Sequence, residues 1–186
     1  MKRYITFLRA INVGGHNVIR MQQLKLLFEA IGFKNVETFI ASGNVIFDSK
    51  SLDNSALENK IEKHLFSSLG NNIAAFIRTT DQLEDIINHK PFPEEKYSEA
   101  AANNIGFIKR PLDKESVNKL NSLKTDIDDF HSYKTEIYWL CKKKQSQSTF
   151  SGNIFEKRLN SLVTFRGINT LEKILLLSQD HQNTRM

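Results

Sequence analysis

Nine consecutive residues hold most of the chemistry this chain offers: Arg9-Ala10-Ile11-Asn12-Val13-Gly14-Gly15-His16-Asn17. They follow a short apolar run and precede an amphipathic one. A connection between such elements usually takes about 2–6 residues, yet the irregular stretch extends from Arg9 to Arg20. Glycine opens backbone conformations closed to other residues and lets a ligand approach the main chain. With Arg9 at a strand end, Gly14 and Gly15 mid-loop and a helix N-terminus behind them, the loop amides suit a phosphate or carboxylate. Asn12, Asn17, Ser42 and Asn44 would add hydrogen bonds. Arg166 would close the site: like Arg9 it follows a phenylalanine-bearing strand and begins an Arg-small-Ile-Asn sequence. Two arginines at strand ends can clamp an anion with charge-assisted bonds.

A structural reading competes with this one. Gly14 and Gly15 would then permit a tight crossover against a sheet, and the asparagines would be turn residues. The loop matches neither G-x-x-x-x-G-K-[ST] nor G-x-G-x-x-G, so no nucleotide motif is satisfied. The following helix opens with Met21-Gln22-Gln23, without an acidic or hydroxyl cap.

Other chemistries have thinner support. His16 lies in the loop and could serve as a general acid or base. No two of His16, His64, His89, His131 and His181 stand four apart, and none neighbours Cys141, so the common zinc spacings are absent. Asp126, Asp128, Asp129 and His131 read as a solvated acidic turn. Cys141 alternates with Ile137 and Trp139 and reads as a buried structural thiol. Lys142-Lys143-Lys144 after Trp139 could track a nucleic-acid backbone, but no RNP1-type consensus accompanies it. No cofactor or metal site is expected, and no catalytic residue is assigned.

Composition sets the frame. The 186 residues are 40% hydrophobic and 25% charged, ordinary for a soluble globular protein. The net charge of +5 is spread out: residues 1–90 carry 11 basic and 9 acidic side chains, residues 91–186 carry 15 and 12. That permits an anionic partner without demanding one. A single cysteine excludes an intramolecular disulfide and fits a reducing compartment. The first apolar run is too short for a signal peptide, and no run reaches the roughly 18 apolar residues of a membrane span. A cytoplasmic location is expected.

The elements follow from periodicity. Tyr4 to Leu8 reads as a strand. Leu24, Leu27, Phe28 and Ile31 form one helical stripe, stopped at Gly32. Val36 to Ala41 alternates as a strand, Ser42-Gly43-Asn44 turns, and Val45 to Phe47 returns. Ser55 and Glu58 have capping-box spacing before the stripe Leu57, Ile61, Leu65 and Leu69. Ile73 to Ile77 is a further strand. The order is β-α-β-β-α-β, a split βαβ or ferredoxin-like unit. Asp81 with Glu84 opens a short helix, and Pro91 to Lys96 reads as irregular linker. The second half repeats the order less clearly. Asn104 to Ile108 is a strand, and Val117, Leu120 and Leu123 suggest a helix. Strands over Asp129–Tyr133 and Glu136–Cys141, a helix with Phe155 and Leu159, and a short strand at Leu162 to Phe165 follow. A last helix starts near Asn169, with Glu172 as cap partner. The expected fold is α+β: a ferredoxin-like subdomain over 1–88, a linker over 89–100, and a C-terminal α+β subdomain over 101–186, with antiparallel or mixed sheets.

Phe7 through Asn17, Met21 with Leu24, Gly32-Phe33 and Val36 through Phe47 together closely resemble the bacterial domain-of-unknown-function family 1697. The resemblance is dense over residues 4–48, and it implies two α+β subdomains, the first ferredoxin-like. It implies no activity. One departure stands out. Before the last helix the family usually shows Arg-Asn-Trp followed by Thr, whereas this chain has Arg166-Gly167-Ile168-Asn169-Thr170. If that aromatic stacked on a ligand, Ile168 alters the function.

The function expected from these residues is binding of a small anionic ligand at Arg9, Asn12, Gly14, Gly15, Asn17, Ser42, Asn44 and Arg166. An enzyme acting on a phosphorylated or carboxylated metabolite through His16, and a nucleic-acid-binding module, stand as alternatives. No membrane partner is expected.

Overall fold

The structure is a computed structural model; it describes residues 1–12 and 18–183, with side chains described through Gln179. The chain runs β1 (Lys2–Leu8), α1 (Met21–Ala30), β2 (Lys34–Phe39), β3 (Asn44–Ser49), α2 (Asn54–Leu69), β4 (Ala75–Thr79), α3 (Thr80–Asn88) and α4 (Glu94–Glu99). It continues through β5 (Ala102–Phe107), α5 (Lys114–Asn121), β6 (Asp128–Tyr133), β7 (Glu136–Cys141), α6 (Gly152–Leu159), β8 (Thr164–Gly167) and α7 (Ile168–Asn183). Two compact units result, one of Met1–Asp85 with the chain from Lys173 onward, the other of Ile86–Glu172. Both are α+β and ferredoxin-like. No helix among the described residues is long and apolar enough to cross a membrane.

Each unit holds a four-stranded sheet, ordered β2-β3-β1-β4 in the first and β6-β7-β5-β8 in the second. All pairings are antiparallel. The registers match: Ile5 faces Ile46 and Arg78, while Ile105 faces Tyr138 and Arg166. Tyr4 and Asn104 therefore hold the same place, opposite Phe47 and Trp139.

Alternation along the strands sends one residue set against the helices. In the first unit Tyr4, Leu8, Val45, Phe47, Ala75 and Ile77 meet Leu24 and Phe28 of α1 and Leu57, Ile61 and Leu65 of α2. In the second, Phe130, Ile137, Trp139 and Cys141 cluster with Leu120 of α5 and Phe155 and Leu159 of α6. Gly43 is needed at the β2–β3 turn: it has φ +74°, and a Cβ there would lie 3.0 Å from that of Leu8 and 3.1 Å from that of Ile11.

Side chains of the packed helices close one edge of each sheet. Glu58 and Glu62 of α2 accept the N–H groups of Ile77 (2.9 Å) and Ala75 (2.8 Å). Glu156 of α6 accepts that of Val163 at 3.0 Å. Glu58 is thus occupied by β4 rather than by a capping box with Ser55. Asp53 caps α2 instead, accepting from the amides of Ser55 and Ala56. Asp81 and Glu84 do not open α3 either: Thr79 Oγ1 accepts the Gln82 amide while Gln82 Oε1 accepts the Thr79 amide, a reciprocal box two residues earlier. Part of the stretch read as irregular, from Glu94, is helical; Pro93 ends the constraint and Glu94 and Glu95 suit the positive end of α4.

Candidate functional site

Val13, Gly14, Gly15, His16 and Asn17 lie outside the described residues. Of the other residues of the expected site, Asn12 and Asn44 hold loop and turn backbone. Arg9 follows β1 directly and donates its amide to Ala74 O at 2.9 Å. Ala10 and Asn12 both take positive φ, +56° and +55°, which puts Ile11 between them into the core. Asn12 spends its whole carboxamide on the backbone. Its Oδ1 accepts from Ile19 N at 2.8 Å, and its Nδ2 donates to Ile19 O at 3.1 Å and Ala41 O at 2.8 Å. Asn44 is fully buried and donates to Phe39 O at 3.1 Å and Ser42 Oγ at 2.9 Å. Asn12, Ser42 and Asn44 therefore meet at the β2–β3 turn, with the two carboxamides holding it and the loop end at Ile19.

Arg166 belongs to the second unit, inside β8. Its Nη1 donates to Thr164 Oγ1 at 2.7 Å and Phe165 O at 2.8 Å. Burial pulls its pKa down to about 10. By register its counterpart is Arg78 of β4, which likewise donates Nη1 to the carbonyl of the preceding residue, Ile77, at 2.7 Å. Arg9 resembles Arg166 in sequence but not in fold position.

Cys141 and Asp128 are buried, and Asp129 and Lys142 are paired. Burial raises the Cys141 pKa, away from the thiolate. Asp128 is not a solvated acid: it is 2% exposed and accepts from Trp139 Nε1 and Ser148 Oγ, each at 2.8 Å. Asp129 pairs with Lys96 and Lys124, and Lys142 pairs with Glu99 at 2.7 Å. Among the described residues no three His, Cys, Asp or Glu side chains group as a metal site would require.

A different place in the second unit holds a polar-lined hollow. Strand β5 pairs with β7 along its whole length, from Ala102, but with β8 only from Asn104. Beyond Gly167 the chain leaves the sheet and becomes α7. The flank so left beside Ala102 and Asn103 is a hollow of about 630 Å³. Gly167 through Thr170 line it, so the first turn of α7 borders it with amides that have no partner inside the helix. That turn carries no acidic residue. Asn104 lines the same hollow, is 5% exposed, and its Nδ2 has no hydrogen-bond partner. His89 borders it too, and its Nε2 is likewise buried without one. The His89 ring is fixed by stacking on Tyr133 (centroids 4.1 Å apart) and by the edge of Tyr138 at 5.2 Å. Tyr138 is anchored through its hydroxyl to Ile86 O at 3.1 Å. Lys90 supplies a cation at the rim and Glu172 an anion.

Such a set can take a compact anion. A buried amide donor, helix-start amides and one lysine border one hollow, and each donor left unmet costs about 1–3 kcal/mol. Sequence reasoning missed Asn104 and His89. The available signal was Asn103-Asn104 inside a strand, where asparagine is depleted.

A search of curated proteins found no match. Among solved structures, the chain is similar to the conserved bacterial protein SP0830 from Streptococcus pneumoniae. The two are 22% identical, with 95% of this chain and 98% of that one covered at a TM-score of 0.75, a likeness of fold. The family model described as a protein of unknown function (DUF1697) matches residues 1–138. That stretch reaches from β1 into β7, and on it the chain belongs to the DUF1697 family.

Proposed function

We propose that this protein is a non-catalytic binding protein for a small anionic ligand, held in the second unit between the start of β5 and the start of α7. The observation that carries the reading is Asn104 Nδ2, a donor buried beside a helix N-terminus without a partner. Buried polar groups are nearly always hydrogen-bonded, and a bound carboxylate or phosphate oxygen would meet this one. Lys90 would add charge, and the α7 amides would add dipole and donors. The single cysteine, fully buried at Cys141, fits the reducing cytoplasm as the place of action.

A thermal-shift screen against phosphate, sugar phosphates, nucleotides and organic acids tests this, because a ligand that prefers the native state raises its melting temperature. The expected result is a shift in the parent protein that Asn104→Leu removes. Asn104→Leu should itself melt higher without ligand, since it deletes an unmet donor worth about 1 kcal/mol. A shift abolished by Gly15→Val but kept by Asn104→Leu would move the site to the glycine loop. Capture of nucleic acid that weakens steeply with salt would replace the reading with that of a nucleic-acid-binding module.

A further inference from the structure

Six buried side-chain atoms among the described residues lack a hydrogen-bond partner: Arg3 Nε, Thr6 Oγ1, His64 Nε2, Thr80 Oγ1, His89 Nε2 and Asn104 Nδ2. Two of them line the hollow of the second unit. The residues that carry two others, Arg3 and Thr80, border a separate hollow of about 420 Å³ in the first unit. The place is equivalent. One hollow lies where β5 begins beside the β8–α7 junction, the other where β1 begins beside the β4–α3 junction.

We infer that the first unit carries its own anion site, at the start of α3, and that it takes a phosphate group. Four features point there independently of the reading for the second unit. Thr80 is the first residue of the nine-residue helix α3, is 5% exposed, and presents an unmet hydroxyl. The reciprocal Thr79–Gln82 box satisfies the Gln82 amide of that turn, and the β1–β4 ladder at Tyr4–Thr79 takes up the Thr80 amide, which leaves the Asp81 amide without a partner inside the helix. Arg3 is 4% exposed; its Nη atoms are spent on Glu37, Asp48 and Asn35 O, while Nε is unmet. Lys2 and Lys50 stand at the rim. Donors of this number outnumber the acceptors of a carboxylate and suit the three or four oxygens of a phosphate. The one acid on the lining is Asp81. Its side chain is 81% exposed and lies 3.8 Å from Lys2, so water screens much of its charge.

The test titrates the full chain with sodium phosphate at constant ionic strength, read by melting temperature and by calorimetry. The variants are Thr80→Val, Lys50→Ala and Asp81→Asn, with Asn104→Leu reporting on the other hollow. Thr80→Val should fold and melt about 2 °C higher without phosphate, having lost an unmet hydroxyl. Its phosphate affinity should fall about tenfold. Lys50→Ala should weaken binding with an unchanged phosphate-free melt, and Asp81→Asn should tighten it. Asn104→Leu should leave this component intact, so loss of the second-unit site does not register as loss of this one. Tighter binding of a sugar phosphate than of inorganic phosphate identifies a phosphomonoester as the ligand; equal binding identifies free phosphate. Thr80→Val that binds phosphate as the parent does, or a response reproduced by chloride, would overturn the inference.

Discussion

The two units share strand order and register yet fill the same positions differently. Opposite Phe47 the first unit places Tyr4, whose ring stacks on Phe47 at 5.8 Å and whose hydroxyl reaches Ser51 O at 2.7 Å. Opposite Trp139 the second unit places Asn104, a short carboxamide whose Nδ2 has no partner. The first residue builds core; the second leaves a polar hollow. The β-to-α crossovers differ as well. Helix α5 follows β5 closely and is capped by Asp113, which accepts the Ser116 amide at 2.8 Å. Helix α1 begins after Arg20 with no side-chain cap. One strand register is thus compatible with a long crossover after β1 and a short one after β5.

The largest test of that equivalence compares Phe47→Ala with Trp139→Ala. Both residues are fully buried, and each change should cost about 3–5 kcal/mol. Trp139→Ala should be the worse, because it also removes the donor to buried Asp128. Urea unfolding measures both, and equal costs would show that the indole hydrogen bond adds nothing. Next is an exchange at one position. Gly106 corresponds to Thr6, but a Cβ on Gly106 would lie 2.6 Å from the Phe165 ring. Gly106→Thr should therefore cost about 1–3 kcal/mol by overpacking; a neutral result would mean that the ring has room to turn.

The smallest expected effect is electrostatic. Partial burial pushes the Asp129 pKa up, but hydrogen bonds and charge from Lys96 and Lys124 outweigh it, and the net shift is downward. A carboxylate whose folded pKa is depressed contributes stability above its unfolded pKa of 3.8 and loses it as pH falls through the folded value. Asp129→Asn should cost at most about 1 kcal/mol at pH 7, and the difference from the parent should vanish in acid. A pH-independent difference would assign the effect to packing.

Much of this architecture was legible because periodicity is local. The stripe of Leu24 and Phe28, the Ser42-Gly43-Asn44 turn, and the alternation of Ile137, Trp139 and Cys141 each need only a few neighbours in sequence. The hollow of the second unit was not legible. Whether Asn104 finds a partner depends on where β8 stops, at Gly167, more than sixty residues later. Arg9 and Arg166 share a sequence pattern, but strand register decides equivalence and pairs Arg166 with Arg78. The helix caps were misplaced for a related reason. Glu58 fits a capping box by spacing, yet a strand amide competes for it and wins.

The glutamates of α2 and α6 have one more consequence. An exposed strand border is a template onto which another chain can add. At Ala75, Ile77 and Val163 the outward amides are already taken by Glu62, Glu58 and Glu156, so a foreign strand arriving there meets carboxylates instead of open valences. Protection from fibre-like self-assembly is in this way written into the same side chains that dock the helices.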